Sequence, residues 1–140
     1  MDFERVQGFM NTHHRAVVNT FQPDGSVQSS IVVAGAMDGK VVFVSVNGRS
    51  VKVRNLRREP GCTVLAVTAD WRQYVVVEGR AELFDSSNSG PEALRVMLRD
   101  TYRACGDHDH PDWEEYDRVM RRQEAVVAWV HPQRVYGLLR

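Results

Sequence analysis

Cysteine is scarce in this chain. Cys62 and Cys105 are the only two, and no Cys-x-x-Cys spacing occurs. Two isolated thiols make neither a disulfide framework nor a zinc site. Cys62 sits inside an apolar run and reads as a small buried side chain. Net charge is also missing, because 18 basic and 18 acidic residues balance. A general nucleic-acid binder should be basic overall, so that class is set aside. No apolar run approaches the ~18 residues of a membrane span. The opening Met-Asp-Phe-Glu-Arg is charged and lacks the apolar centre of a secretory signal. These absences make a cytoplasmic protein, without membrane or nucleic acid as partner, the expectation.

Catalytic signatures are missing too. The chain has no GxSxG elbow, no GxxxxGK(S/T) phosphate loop and no carboxylate pair with a glycosidase-like spacing. His108 and His110 alternate with Asp107 and Asp109, but no pattern places a third ligand, so no metal is expected. No side chain stands out as a nucleophile or base, and catalytic residues stay unassigned. If the protein is an enzyme, a bound cofactor carries the chemistry and the chain supplies orientation and electrostatics.

What is present describes one globular domain: 140 residues, 43% hydrophobic and 26% charged. Phe3, Val6, Phe9 and Met10 recur at helical spacing within residues 2–12. Strand-like runs follow at 15–21, 26–36, 41–46, 62–69 and 73–84. Gln22-Pro23-Asp24-Gly25 and Met37-Asp38-Gly39-Lys40 join the first three as tight turns. Gly79, inside the fifth run, marks a bulge or a close backbone approach. Pro91 opens a helix whose apolar stripe is Ala93, Leu94, Met97, Leu98 and Tyr102. A loop at 106–110 follows, then a helix capped by Asp112 and running to about Arg122. A last strand is expected at 124–130, with a short extension at 134–138. Hairpin-joined strands, a helical excursion and a sixth strand do not alternate as βα units. The pattern predicts an antiparallel sheet closed into a small barrel with helices packed at its ends.

The segment from Gly48 to Pro60 concentrates charge of one sign. Five of its residues are basic and only Glu59 is acidic. Gly48 breaks the preceding strand, Ser50 can cap a helix over 50–59, and Pro60 ends it. A helix start attracts anions through its free N–H groups and dipole. Arg49, Lys52 and Arg54 at that end make a phosphate pocket. The same pattern also fits an amphipathic helix whose cations face only water. Trp71-Arg72-Gln73-Tyr74 offers an aromatic face and an amide for a planar ring; alternatively these aromatics cover the core or a dimer interface.

The chain resembles the split β-barrel family of flavin and deazaflavin oxidoreductases that includes pyridoxamine 5′-phosphate oxidase. It looks closest to the actinobacterial branch that binds coenzyme F420. The carriers are Val18-Asn19-Thr20 with Pro23-Asp24-Gly25, the run Lys52-Val53-Arg54-Asn55-Leu56-Arg57-Arg58-Glu59-Pro60, and Tyr74-Val75-Val76-Val77-Glu78-Gly79-Arg80-Ala81. Asp112-Trp113-Glu114-Glu115-Tyr116 and Arg134-Val135-Tyr136-Gly137 also fit. The resemblance implies a six-stranded antiparallel split barrel, mainly β, forming a homodimer with cofactor at the interface. The ring would lie near Ser45, Val46 and Asn47, with Ser30 lining it. The phosphate would meet Arg49, Ser50 and Lys52, with Arg54 and Asn55 near. The second subunit would bring Trp71, Gln73 and Tyr74. Val51 stands where the oxidase's Ser-Arg-Lys phosphate motif has its arginine, and the oxidase's C-terminal Trp and Arg elements have no clear counterpart. These departures disfavour pyridoxamine phosphate as substrate. The Arg/Lys-rich loop and the lack of those C-terminal elements favour the long anionic tail of F420, with FMN as the alternative cofactor and a hydride-accepting small molecule as substrate. A non-catalytic cofactor carrier is the third possibility.

Overall fold

A computed structural model describes residues 1–106 and 108–140; Asp107, in the expected loop, lies outside the described residues. Helix α1 (Phe3–Met10) is capped by Asp2, whose carboxylate accepts from the Arg5 N–H at 3.1 Å. Strands β1 (Arg15–Phe21), β2 (Val27–Met37) and β3 (Lys40–Ser45) form a meander, and helix α2 (Val51–Arg58) follows. Strands β4 (Gly61–Val67) and β5 (Tyr74–Phe84), helices α3 (Pro91–Ala104) and α4 (Trp113–Arg122), and strand β6 (Val126–Leu138) complete the chain.

The six strands close into an antiparallel barrel in the order β1-β2-β3-β6-β5-β4. Closure gives each strand two neighbours. Long β2 serves two neighbours: Val27–Val33 pair with β1 and Ala34–Met37 with β3. Inward positions alternate as expected of a pleated strand, with Ala16, Val18, Val64, Ala66, Val75 and Val77 all buried. Val6, Phe9 and Met10 of α1 join this interior core. A second core lies outside the barrel, where Leu98 of α3 and Tyr116 and Met120 of α4 pack with Ala125 and Val127.

Two expectations change. The last strand is not broken after Val130: β6 runs unbroken through Pro132 to Leu138. Proline is tolerated because β3 pairs only as far as Val130, leaving that side free. On its other side Pro132 faces Gly79, where the β5–β6 register slips. Gly79 is therefore both bulge and close approach: a Cβ there would stand 2.2 Å from the His131 carbonyl oxygen. Second, Glu124 does not start the strand. It turns out of α4 at φ 55°, the left-handed position that follows many helix ends.

Candidate cofactor site

The basic segment folds as one short helix with a defined start. Ser50 caps α2 through its hydroxyl oxygen, which accepts from the Val53 N–H at 3.4 Å. The Ser45 hydroxyl donates to the Asn47 carbonyl at 3.1 Å and lies 3.1 Å from the Ser50 hydroxyl. The Asn47 side-chain oxygen accepts from the Arg49 N–H at 2.9 Å. These bonds fix the turn between β3 and α2. Among the described residues, the N–H groups of Val51 and Lys52 have no hydrogen-bond partner. They are the free donors that a helix start offers.

Gly48 serves this turn by close approach rather than by flexibility. A Cβ there would stand 1.9 Å from the Glu124 carbonyl oxygen. The Gly48 N–H donates to the Gln123 carbonyl at 3.1 Å. Beside it, the Arg49 guanidinium spans both carboxylate oxygens of Glu124 at 3.1 and 3.2 Å. That ion pair holds the Glu124 carboxyl below its usual range. The start of α2 is thus pinned to the α4–β6 turn, and Glu124 is a partner that the sequence pattern did not reveal.

A groove of about 700 Å³ opens beside this corner, within the ~300–1,000 Å³ typical of small-molecule sites. Ile31 and Val33 of β2, Val46 and Asn47 after β3, and Lys52 of α2 line one part. Tyr102, His108, His110 and Tyr116 line another. Lys52 is half-buried and, among the described residues, has no carboxylate within ion-pair distance. Burial alone holds its ammonium below the ordinary lysine value. A half-desolvated cation beside free N–H groups, at the edge of a largely apolar groove, is chemically suited to an anionic group on a planar ligand. Cys105 also lines the groove, but burial pushes its thiol up to about 12, so it offers no thiolate near neutral pH.

The other expected residues lie further out. Arg54 is exposed on α2 and has no ion pair among the described residues. Asn55 is buried, and its amide donates inward to the Thr20 hydroxyl at 3.0 Å, tying α2 to β1. Ser30 exchanges hydrogen bonds with the Gln28 side chain at 3.0 and 3.2 Å. Trp71 and Gln73 belong to the β4–β5 turn and Tyr74 opens β5; none of the three lines the groove. The Gln73 side-chain oxygen accepts from the Arg140 N–H at 2.9 Å.

Groove, helix start and six-stranded closed barrel together invite comparison with known proteins. Residues 3–138 match the family described as pyridoxamine 5′-phosphate oxidase. The chain belongs to that family. Membership of the pyridoxamine 5′-phosphate oxidase family makes this a flavin-binding type of barrel with an oxidoreductase role. Solved structures share the fold. A conserved hypothetical protein, Rv2991 from Mycobacterium tuberculosis, superposes with a TM-score of 0.75 at 23% identity, over 98% of this chain and 84% of that one. An F420 reductase gives 0.64 at 17% identity, over 93% and 94%. General Stress Protein 26 from Bacillus anthracis str. Sterne gives 0.64 at 17% identity, over 99% and 95%. No described helix is long and apolar enough to cross a membrane.

Proposed function

We propose that the protein is an F420-dependent oxidoreductase that passes a hydride between the deazaflavin and a small conjugated molecule. The observation that carries this reading is Lys52: half-buried, without a carboxylate partner among the described residues, and beside the free Val51 and Lys52 N–H groups. Ser45, Val46 and Asn47 would border the ring, with Ser30 next to them on β2. Arg49, Ser50 and Lys52 would hold the anionic arm, Arg54 would lie near its outer part, and Asn55, buried and bonded to Thr20, would support the helix from below. The deazaflavin, when bound, supplies the hydride chemistry. The residues of the chain orient it, neutralise its arm and exclude water from its ring.

The working unit in this reading is a homodimer. Ile31 is 88% exposed, Val33 61% and Trp71 81%, more apolar surface than isolated exposed side chains would give. Trp71 has φ 67°, and the turn is pinned where the Asp70 carboxylate accepts from the Thr68 hydroxyl at 2.6 Å and the Arg72 N–H at 3.0 Å. A large apolar side chain held rigidly outward suits a second copy, with Trp71, Gln73 and Tyr74 reaching the neighbouring groove. Light scattering should give twice the chain mass, and Ile31→Lys with Val33→Lys should give the single mass.

Membership of the pyridoxamine 5′-phosphate oxidase family favours FMN as the second reading. Fluorescence titration of the purified protein with F420 and with FMN decides. Tighter binding of F420 is expected. Tighter binding of FMN reverses the choice of cofactor, and binding of neither removes the oxidoreductase reading.

A further inference from the structure

The groove's outer wall is a cluster of rings. The Tyr102 ring centroid lies 5.5 Å from that of His108, 5.2 Å from His110, 5.6 Å from Trp113 and 5.3 Å from Tyr116. Tyr102, His108, His110 and Tyr116 all face the same groove as Lys52. Their polar atoms are not equivalent. The Tyr116 hydroxyl is committed, donating to the Leu98 carbonyl at 2.9 Å. His110 Nδ1 accepts from the Asp112 N–H at 2.9 Å. His108 Nδ1 lies 2.5 Å from the Gly106 carbonyl oxygen. A carbonyl only accepts, so this nitrogen carries the proton. His108 Nε2 lies 3.3 Å from the Tyr102 hydroxyl. In neutral His108 that nitrogen has a lone pair and Tyr102 donates to it. In the imidazolium it carries a proton, donates to the Tyr102 oxygen, and frees the phenolic O–H to point into the groove.

We propose that Tyr102 is the proton donor to the organic acceptor bound in this groove, with His108 as the positioning residue that resupplies its proton. This rests on the hydride-transfer reading above. The acceptor class is a planar molecule with a carbon–carbon double bond conjugated to a carbonyl. Hydride from the reduced deazaflavin forms a C–H bond at the β-carbon, and the π pair moves toward the carbonyl as an enolate. The Tyr102 O–H, which donates to the carbonyl oxygen, breaks and its proton goes to that oxygen as the π pair arrives; the resulting enol then loses its O–H proton to water and takes one at the α-carbon. The phenolate then takes the proton from His108 Nε2, and the neutral imidazole is reprotonated by solvent. The acceptor gains one hydride and one proton, and the deazaflavin is oxidised by two electrons. Positioned proton donors contribute ~10²–10⁴ in rate.

The test uses 4-(dimethylamino)cinnamaldehyde, a planar conjugated aldehyde whose absorption moves to the red when its carbonyl accepts a hydrogen bond. It is added to the protein with and without oxidised F420. Wild type should show the red shift, and Tyr102→Phe, which keeps the ring packing, should lose it. Turnover of conjugated aldehydes should fall about a hundred-fold in that variant. His108→Ala should also lose turnover, and added imidazole should restore it. No red shift in wild type overturns the proposal. So does a shift that survives Tyr102→Phe but disappears in His110→Asn, which would make His110 the donor. Wild type that binds neither F420 nor FMN defeats the cofactor reading instead, a result visible before any aldehyde is added.

Discussion

Replacing Lys52 with methionine should separate stability from binding in opposite directions. In the ligand-free protein the Lys52 ammonium has lost part of its hydration and has gained no ion pair among the described residues. Its pKa is depressed by burial, so the folded chain holds this proton less tightly than the unfolded chain does. The resulting penalty is fully present below the folded value. It fades as pH rises from there toward the ordinary lysine value of 10.5. Methionine keeps the stem and removes the charge, so the cofactor-free variant should unfold at an equal or higher temperature. Binding should suffer. One charge-assisted hydrogen bond to an anionic arm is worth about 1.5–3 kcal/mol, roughly a ten- to hundred-fold weaker Kd. Wild-type affinity should also decline with rising pH, beginning below 10.5, because the ammonium is the bound form. Differential scanning fluorimetry on the free protein and fluorescence titration with F420 measure both. A variant that melts lower when free, or that binds F420 with unchanged Kd, refutes the reasoning.

Gly48→Ala should destabilise by about 1–3 kcal/mol or more, since its Cβ would stand 1.9 Å from the Glu124 carbonyl oxygen; urea unfolding reads the loss. Asn55→Ala should remove a buried donor from Thr20 and cost about 1–3 kcal/mol, seen as a lower Tm, whereas Asn55→Asp should not rescue it, because the amide N–H is what donates. The Asp117 carboxylate accepts from Arg99 at 3.1 and 2.5 Å, and this bond holds its carboxyl below the usual 3.8. Its folded pKa is depressed, so its stabilisation is present above 3.8 and lost as pH falls through the lower folded value. Urea midpoints taken across acid pH should therefore show wild type converging on Asp117→Asn at the low end.

The barrel was legible because local and long-range signals agreed. The Pro23-Asp24-Gly25 and Asp38-Gly39 turns name their hairpins. Ser50 and Asp112 each cap the helix that the sequence assigns to them. β6 was misread because Pro132 looks like a terminator until its surroundings are known: it lies beyond the end of the β3 pairing and opposite Gly79 at the register shift, where a missing N–H is tolerated. Lys52 stood out as part of a cationic run, but the run's members differ in ways that no spacing encodes. Arg49 is bound to Glu124, far away in sequence, Asn55 turns inward to Thr20, and Lys52 alone of these borders the groove. The ring cluster was hidden for a different reason. Tyr102 reads as one member of a helical apolar stripe, and His108 and His110 as a weak metal pattern. Only the fold of α3 against α4 shows that they share a wall with β2 and α2.

The central claim is that the start of α2 grips the anionic arm of a flavin-like cofactor lying in the adjoining groove. Amide NMR of the labelled protein during F420 addition tests it most directly. Saturable shifts should be largest at the Val51 and Lys52 N–H groups, with Val46 and Asn47 moving at the same Kd. Saturable binding that leaves those four resonances still, or no binding at all, would contradict the account.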